Sequence, residues 1–169
     1  MSRLLLARHA KAAWAQPGMK DFDRPLDPQG HASLDRLAAA MKAADLFPQR
    51  VVLSASRRTR ETAFGLIERL GRNIEAITDE GLYGSGAAAY VKSIRAHGGD
   101  VENLMLVGHN PSIEDLALAL CRSGDAASLE RLRAGFPPAA LAVISLKGSL
   151  TQLHRESGSL ESFPLPDYL

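Results

Sequence analysis

Disulfides, membrane-length apolar runs and a signal segment are all missing from this sequence. Its 169 residues include one cysteine, Cys121, so no internal disulfide can form. We expect a small buried thiol in a reducing compartment. No apolar run approaches the roughly 20 residues that a membrane helix needs, and the run after Met1-Ser2-Arg3 is too short for a signal peptide. These absences predict a cytoplasmic protein without a membrane partner.

An excess of charge of either sign is also absent, since 20 Lys and Arg residues stand against 19 Asp and Glu residues. Without an excess of positive charge, the protein is not expected to bind nucleic acid or an anionic lipid surface. The sequence has no H-E-x-x-H motif, no cysteine pair, no cluster of Asp, Glu and His at metal-ligand spacing and no glycine-rich nucleotide loop. We therefore expect neither a metal nor another cofactor.

Short apolar runs alternate with stretches of helical periodicity, which is typical of an α/β domain with a mostly parallel sheet. Strands are predicted at residues 4–7, 51–53, 74–77 and 104–107, and helices from about 34 to 46, 57 to 71, 87 to 97 and 111 to 121. Residues 142–146 and 150–154 flank Lys147-Gly148-Ser149, which predicts a hairpin and an antiparallel end of the sheet. The tail, 158–169, is predicted to be irregular. The length fits one domain over residues 1–169.

Three polar segments come after three of the predicted strands. Arg8-His9 follows the first strand, Arg57-Arg58 the second and His109-Asn110 the fourth. Ligands of open parallel sheets bind beyond the carboxyl ends of the strands, so these side chains are predicted to meet at one edge. Each segment alone has an ordinary explanation, such as a solvated strand end for Arg8-His9. Together they indicate an anion site.

The start of the second predicted helix also points to an anion. Arg57, Arg58 and Arg60 crowd its first turn, where the helix dipole disfavours cations. Glu61, solvent screening or a bound phosphate could offset their charge.

His109 precedes Asn110 and Pro111, which suit the N-cap and the first position of another helix. The imidazole would then stand beside free backbone N–H donors. A structural role is the ordinary explanation for a lone histidine at this place, and part of an anion cage is the alternative.

The segments that carry these residues resemble the motifs of a known family. Residues 4–11, LLLARHAK, are similar to the RHG or RHA segment of the histidine phosphatase superfamily, which has the phosphoglycerate mutase-like fold. Residues 54–62 resemble its SPxxRAxQT segment, which places the family arginine at Arg58, with Ala55 instead of the usual proline. Residues 107–111 resemble the segment of its second histidine.

A further stretch narrows the resemblance. Asp23-Arg24-Pro25-Leu26 followed by Gly30 matches the DRPLxxxG pattern of the SixA-like phosphohistidine phosphatases. All the motifs occur in family order between residue 3 and about residue 120. The resemblance implies a three-layer α/β/α sandwich with a mostly parallel central sheet, an antiparallel edge and no large cap.

The resemblance also implies the roles of the polar residues. His9 would attack phosphorus and carry the phosphoryl group until water removes it. Arg8, Arg58 and His109 would hold the phosphoryl oxygens, and the arginines would favour the neutral imidazole by charge repulsion. Asn110 belongs to the same predicted substrate site.

Two further residues have open roles. Glu80 lies roughly where mutase-like relatives keep an acidic residue, so it is either the proton donor or a surface carboxylate. Arg24 either lies at the rim of the pocket or holds its loop through an ion pair with Asp21 or Asp23.

The substrate is predicted from the missing cap. Only about 50 residues separate the Arg58 and His109 segments, so the site should be open. An open site suits phosphohistidine on a signalling or phosphotransfer protein. The alternatives are a general phosphatase of small phosphoesters, with a mutase less favoured, and a phosphate-binding module without turnover. The sequence leaves the oligomeric state open.

Overall fold

Residues 1–166 are described by a computed structural model, and their strands form one seven-stranded sheet. The strands are β1 (Arg3–Arg8), β2 (Arg50–Ser54), β3 (Glu75–Asp79), β4 (Asn103–Gly108), β5 (Cys121–Gly124), β6 (Leu141–Leu146) and β7 (Gly158–Ser162). Their order across the sheet is β3-β2-β4-β1-β6-β7-β5. All pairs are parallel except those of β6, which runs antiparallel to both β1 and β7.

Five α-helices cover the two faces of the sheet in the described part of the chain: α1 (Pro28–Ala43), α2 (Arg57–Leu70), α3 (Ala87–Gly98), α4 (Ser112–Leu120) and α5 (Ala126–Ala134). Alternate strand residues point to opposite faces. Leu4 and Leu6 of β1 therefore pack with α3, α4 and α5, whereas Leu5 and Ala7 pack with α1 and α2. The predicted three-layer sandwich is confirmed. None of the helices in residues 1–166 is long and apolar enough to cross a bilayer.

The helix ends follow local chemistry. Asp27 precedes α1, and its carboxylate accepts a hydrogen bond from the Gly30 N–H at 2.7 Å, as an N-cap does. Gly71 ends α2 in the left-handed conformation with a φ of 64°, as its position in the sequence predicts.

The C-terminal third differs from the sequence prediction. The hairpin is wrong, because Leu150–Gln152 forms a 3-10 helix with Leu150 buried in the core, and β6 pairs with β7 instead. The prediction of an irregular tail is wrong for Gly158–Ser162, because these residues form β7. Residues 167–169 of the predicted tail lie outside the described residues. Since β7 and β5 extend the sheet past β6, the antiparallel strand lies inside the sheet. The domain extent of 1–169 stays a prediction.

The carboxyl ends of β2, β4 and β1 lie side by side. Arg8 is paired with Gly108 across β1 and β4, and Leu53 is paired with Val107 across β2 and β4. The segments that follow these three strands therefore start from neighbouring points on one edge of the sheet.

Candidate active site

His9 directly follows β1 and is held by backbone and side-chain bonds. Its N–H donates to the Gly108 carbonyl at 3.0 Å, and its ring Nδ1 lies 2.7 Å from the Ala10 carbonyl. A carbonyl oxygen can only accept, so Nδ1 carries the proton and the lone pair is on Nε2. The Ala10 N–H donates to the Thr62 hydroxyl at 3.0 Å, which ties this segment to α2. The histidine is thus fixed as the tautomer that a nucleophile needs.

The environment of His9 keeps its ring neutral. The residue is only 9% exposed, and its pKa is lowered to about 3, with burial as the largest cause. The His109 ring and the positive charges of Arg58 and Arg8 act in the same direction as burial, and the bond to the Ala10 carbonyl acts against them. At neutral pH the imidazole is therefore uncharged.

His109 follows β4 and faces the same space. Its ring centroid lies 5.4 Å from that of His9. Its N–H donates to the Tyr90 hydroxyl at 2.8 Å, and its Nε2 lies 2.8 Å from Ser54 Oγ at the end of β2. Its Nδ1 lies 3.5 Å from Arg58 Nη2. Burial first, and then the charge of Arg58, lowers the pKa of His109 to about 4.

Arg58 reaches the cavity from the first turn of α2 and is 7% exposed. Its guanidinium donates to the Asp21 backbone carbonyl at 2.8 Å and to the Asp21 carboxylate at 3.1 Å. That carboxylate also accepts hydrogen bonds from Tyr83 at 2.7 Å and from Arg24 at 3.0 Å. The Tyr83 bond and the two arginines hold the pKa of Asp21 well below its ordinary range. Asp21 is therefore a permanent anion that fixes Arg58.

Arg8, the last residue of β1, is the second cation. It donates to the Phe136 carbonyl at 2.9 Å, while its Nε is buried without a hydrogen-bond partner in residues 1–166. Burial lowers the pKa of Arg8 below its ordinary value, and the charge of Glu114 acts in the opposite direction. A guanidinium in this setting can bind a planar or tetrahedral oxyanion.

A cavity of about 640 Å³ is lined by both histidines and both arginines. Its more exposed wall carries Lys11, Trp14, Arg24 and Asp27. Positive groups at fixed positions in such a cavity match the oxygens of a phosphoryl group. Within residues 1–166, no three His, Cys, Asp or Glu side chains are grouped to hold a metal ion.

Comparison with known proteins agrees with this geometry. Residues 4–84 match the sequence model of the histidine phosphatase superfamily, branch 1. A protein of Mycobacterium tuberculosis is 32% identical over 161 residues, which cover 94% of this chain and 99% of that protein. SixA of Agrobacterium tumefaciens, assigned as a phosphohistidine phosphatase, is 31% identical, with a TM-score of 0.81 over 98% of both chains.

The chain belongs to the histidine phosphatase superfamily. A second SixA structure, from Nakamurella multipartitia, is 26% identical, with a TM-score of 0.83 over 98% of this chain and 96% of that one. The predicted SixA-like membership is confirmed. As a member of this superfamily, the chain is a hydrolase of phosphoesters or of phosphohistidine.

The family motifs acquire physical meanings in this structure. Gly30 ends the DRPLxxxG pattern because a side chain there has no room: a Cβ would lie 2.2 Å from the Lys11 carbonyl oxygen. The Glu61 carboxylate accepts a hydrogen bond from the Leu26 N–H at 2.7 Å and so joins this pattern to α2. It also pairs with Arg57 at 2.7 Å, which is the offset that the sequence left open.

Both Arg24 and Asn110 lie at the cavity. Arg24 does both things that were predicted, since it lines the cavity and pairs with Asp21. Asn110 lines the cavity, but it does not cap a helix, because α4 begins at Ser112 with Pro111 as its N-cap. The Asn110 amide instead donates to the Glu114 carboxylate at 2.9 Å.

Glu80 is not brought to the site. It begins a 3-10 helix, Glu80–Leu82, its side chain is exposed, and it does not line the cavity. The next residues of this segment do reach the cavity, because Tyr83 and Gly84 line it. Of the two alternatives that the sequence left open, the position of Glu80 is that of a surface carboxylate.

Four contacts of the site were missed by the sequence analysis. Asp21 bonds to Arg58, Tyr83 bonds to Asp21, and Ser54 and Tyr90 bond to His109. Ser54 begins the segment that resembles the SPxxRAxQT motif, and Asp21 is one of the predicted ion-pair partners of Arg24. Both residues could therefore have been included in the predicted site. Tyr90 gave no signal, since an aromatic residue in an amphipathic helix is ordinarily core.

Proposed function

We propose that this protein is a metal-independent phosphatase in which His9 accepts the phosphoryl group, and that its substrate is phosphohistidine on a signalling or phosphotransfer protein. The observation that carries the proposal is the 2.7 Å contact between His9 Nδ1 and the Ala10 carbonyl. This contact leaves a neutral Nε2 lone pair beside two guanidinium groups. Arg8 and Arg58 bind the phosphoryl oxygens and supply the positive charge that a metal would otherwise bring.

The reaction proceeds in two displacements. His9 Nε2 forms a bond to phosphorus while the bond to the leaving group breaks and its electron pair goes to the leaving atom. The ring gains positive charge, which the Ala10 carbonyl stabilises through the Nδ1 proton. Water then attacks phosphorus, the phosphorus–nitrogen bond breaks, and the electron pair returns to Nε2. Inorganic phosphate leaves, and one proton of the attacking water passes to solvent.

The carboxylates near the site favour phosphohistidine over phosphate esters. An alkoxide leaving group needs a proton, but Glu80 lies outside the cavity and Asp21 is held ionised by its three donors. A phosphohistidine whose other ring nitrogen carries a proton leaves as neutral imidazole and needs no protein acid. A general phosphatase of small phosphoesters is the alternative, and it requires a proton donor. Asp27, the other carboxylate that lines the cavity, is engaged with the Lys11 ammonium group and the Gly30 N–H.

The intermediate is tested by brief incubation with a ³²P-labelled substrate, followed by a denaturing quench at alkaline pH. We expect acid-labile, base-stable label on the protein, and none in the His9→Ala variant. His31→Ala is the matched control, because His31 is exposed and outside the cavity. Label that persists in His9→Ala would show that His9 is not the acceptor.

The substrate class is tested by comparing a phosphohistidine protein with p-nitrophenyl phosphate. We expect a higher kcat/KM for the phosphohistidine protein. Efficient hydrolysis of the ester together with no release of phosphate from any phosphohistidine protein would support the small-phosphoester alternative. A cytoplasmic location stays a prediction.

A further inference from the structure

The side chain of Trp14 is exposed to solvent at the wall of the active-site cavity. It is the one tryptophan of the sequence, and it is 87% exposed although it lines the cavity. The Arg24 guanidinium carbon lies 5.9 Å from the centroid of its ring. A large aromatic side chain gains free energy when it is covered, so its exposure beside a substrate site indicates that a ligand covers it.

The backbone that carries Trp14 is ordered by several contacts. The Ala13 N–H donates to the Pro25 carbonyl at 2.8 Å, and the Ala13 carbonyl accepts from Arg24 Nε at 2.8 Å. Ala12 and Leu26 form an antiparallel bridge next to them. Trp14 is therefore presented from a fixed position, so little backbone ordering is needed when a partner covers it.

We propose that Trp14 is a docking residue for the protein that carries the phosphoryl group, an inference that rests on the proposed function. A phosphoryl group that reaches His9 leaves the body of its carrier outside, against the wall where Trp14 stands. A folded carrier can cover the indole face, whereas a small phosphoester is held mainly through its phosphoryl group. Tryptophan and arginine side by side are typical of the centre of protein interfaces.

The side chains on the exposed wall of the cavity indicate which side chains the partner should carry. Lys11 lines the same cavity as Trp14, its side chain is 54% exposed, and its ammonium group is 3.6 Å from the Asp27 carboxylate. A carrier with an apolar side chain beside its phosphohistidine would cover Trp14, and a carboxylate there would meet Lys11. We therefore expect the partner to be a folded phosphohistidine domain with apolar and acidic residues around its histidine.

The first test is substrate selectivity. In Trp14→Ala the ratio of kcat/KM for a phosphohistidine protein to kcat/KM for p-nitrophenyl phosphate should fall about tenfold or more, through KM for the protein. Trp14→Phe should restore most of the ratio. Phe64→Ala is the matched control, because it removes an aromatic side chain that is 49% exposed on α2 and outside the cavity.

The second test uses Trp14 as its own reporter. In His9→Ala, a tryptophan-free phosphohistidine protein should shift the emission of Trp14 to shorter wavelength and protect it from acrylamide quenching. Phosphoimidazole should do neither. An unprotected Trp14 and an unchanged ratio in Trp14→Ala, with normal turnover of the phosphohistidine protein, would overturn the docking role alone. Absence of turnover on any phosphohistidine protein would overturn both the docking role and the proposed substrate.

Discussion

The Asp21 carboxylate lies 3.1 Å from Arg58 Nη2 and places a permanent negative charge against a buried cation of the cavity. This arrangement lowers the net positive charge of the cavity, yet it fixes the direction of the guanidinium. Since Asp21 is 53% exposed and Arg58 is 9% exposed by side chain, solvent screens the carboxylate more than the guanidinium. Orientation is therefore the main effect of the pair.

Asp21→Asn tests this relationship. The substitution keeps the side-chain volume but removes the charge that orients Arg58, so kcat should fall by about tenfold, the effect of roughly 1.4 kcal/mol of lost transition-state stabilisation. Steady-state kinetics measure the loss of kcat that follows from a misplaced Arg58. Inhibition by inorganic phosphate measures the change in anion affinity that follows from the lost negative charge. Asp23→Asn, which changes an exposed carboxylate in the same 3-10 helix, should behave as wild type. An increase in kcat would show that the charge of Asp21 matters more than its geometry.

Ser54 should matter for activity because its hydroxyl lies 2.8 Å from His109 Nε2. In Ser54→Ala the ring loses this partner and can rotate away from the phosphoryl oxygens. We expect kcat to fall by about threefold to tenfold, as the loss of one hydrogen bond of about 1 kcal/mol predicts. Ser56→Ala is the control, since the buried Ser56 hydroxyl bonds to Thr59 and not to His109. Equal kinetics for the two variants would exclude a role for Ser54.

Stability should fall as the pH is lowered from neutral. Folding lowers the pKa of His9 from 6.5 to about 3, so between these values the unfolded chain binds a proton that the folded protein does not. No penalty exists well above pH 6.5, and the penalty is complete near pH 3. Within the window, His9 alone lowers the free energy of unfolding by up to about 1.4 kcal/mol for each pH unit. His109, with a pKa of about 4, adds to the same slope.

Urea unfolding at pH 7, 6 and 5 checks this dependence. The His9→Gln variant should lose stability less steeply with falling pH than the wild type does. His31→Gln should keep the wild-type slope, because His31 is exposed. Parallel slopes for all three proteins would show that His9 does not titrate differently in the folded and unfolded states.

Gly108 is required by the close approach of Tyr90. A Cβ at residue 108 would lie 2.6 Å from the Tyr90 hydroxyl, the group that accepts the His109 N–H. Gly108→Ala should therefore destabilise the protein by about 1–3 kcal/mol and lower kcat, because His109 moves with its partner. Gly86→Ala is the control, since a Cβ there meets nothing within 4 Å. Thermal unfolding and kinetics are the measurements, and a Gly108→Ala protein with unchanged values for both would contradict this reasoning.

The meeting of Arg8, Arg58 and His109 at one edge of the sheet could be predicted because local signals and topology agree there. The buried strands before Arg8, Arg58 and His109 are short apolar runs, and parallel strands bring such segments to one edge whatever their order in the sheet. Gly71 marked the end of α2 equally clearly, since a left-handed residue is needed at that place.

The C-terminal prediction failed because local turn chemistry competed with a longer-range contact. Lys147-Gly148-Ser149 is a good turn, but Leu150 and Leu153 are both buried in the core cluster on the side of α3. The strand that pairs with β6 comes later, at Gly158–Ser162. The supporting residues of the site escaped prediction for the same reason: Asp21 meets Arg58 from 37 positions away.

The position of β1 in the sheet determines how its amide protons exchange with solvent. β1 is the fourth of seven strands, with parallel β4 on one side and antiparallel β6 on the other. Its amide protons can exchange with solvent only when the sheet separates, so they should exchange at the rate of global unfolding. The segment that carries Trp14 is held instead by the isolated Ala12–Leu26 bridge and the hydrogen bonds of Ala13, so its amide protons can exchange without separation of the sheet. The backbone before His9 and the wall that carries Trp14 therefore belong to parts of the chain with different opening free energies.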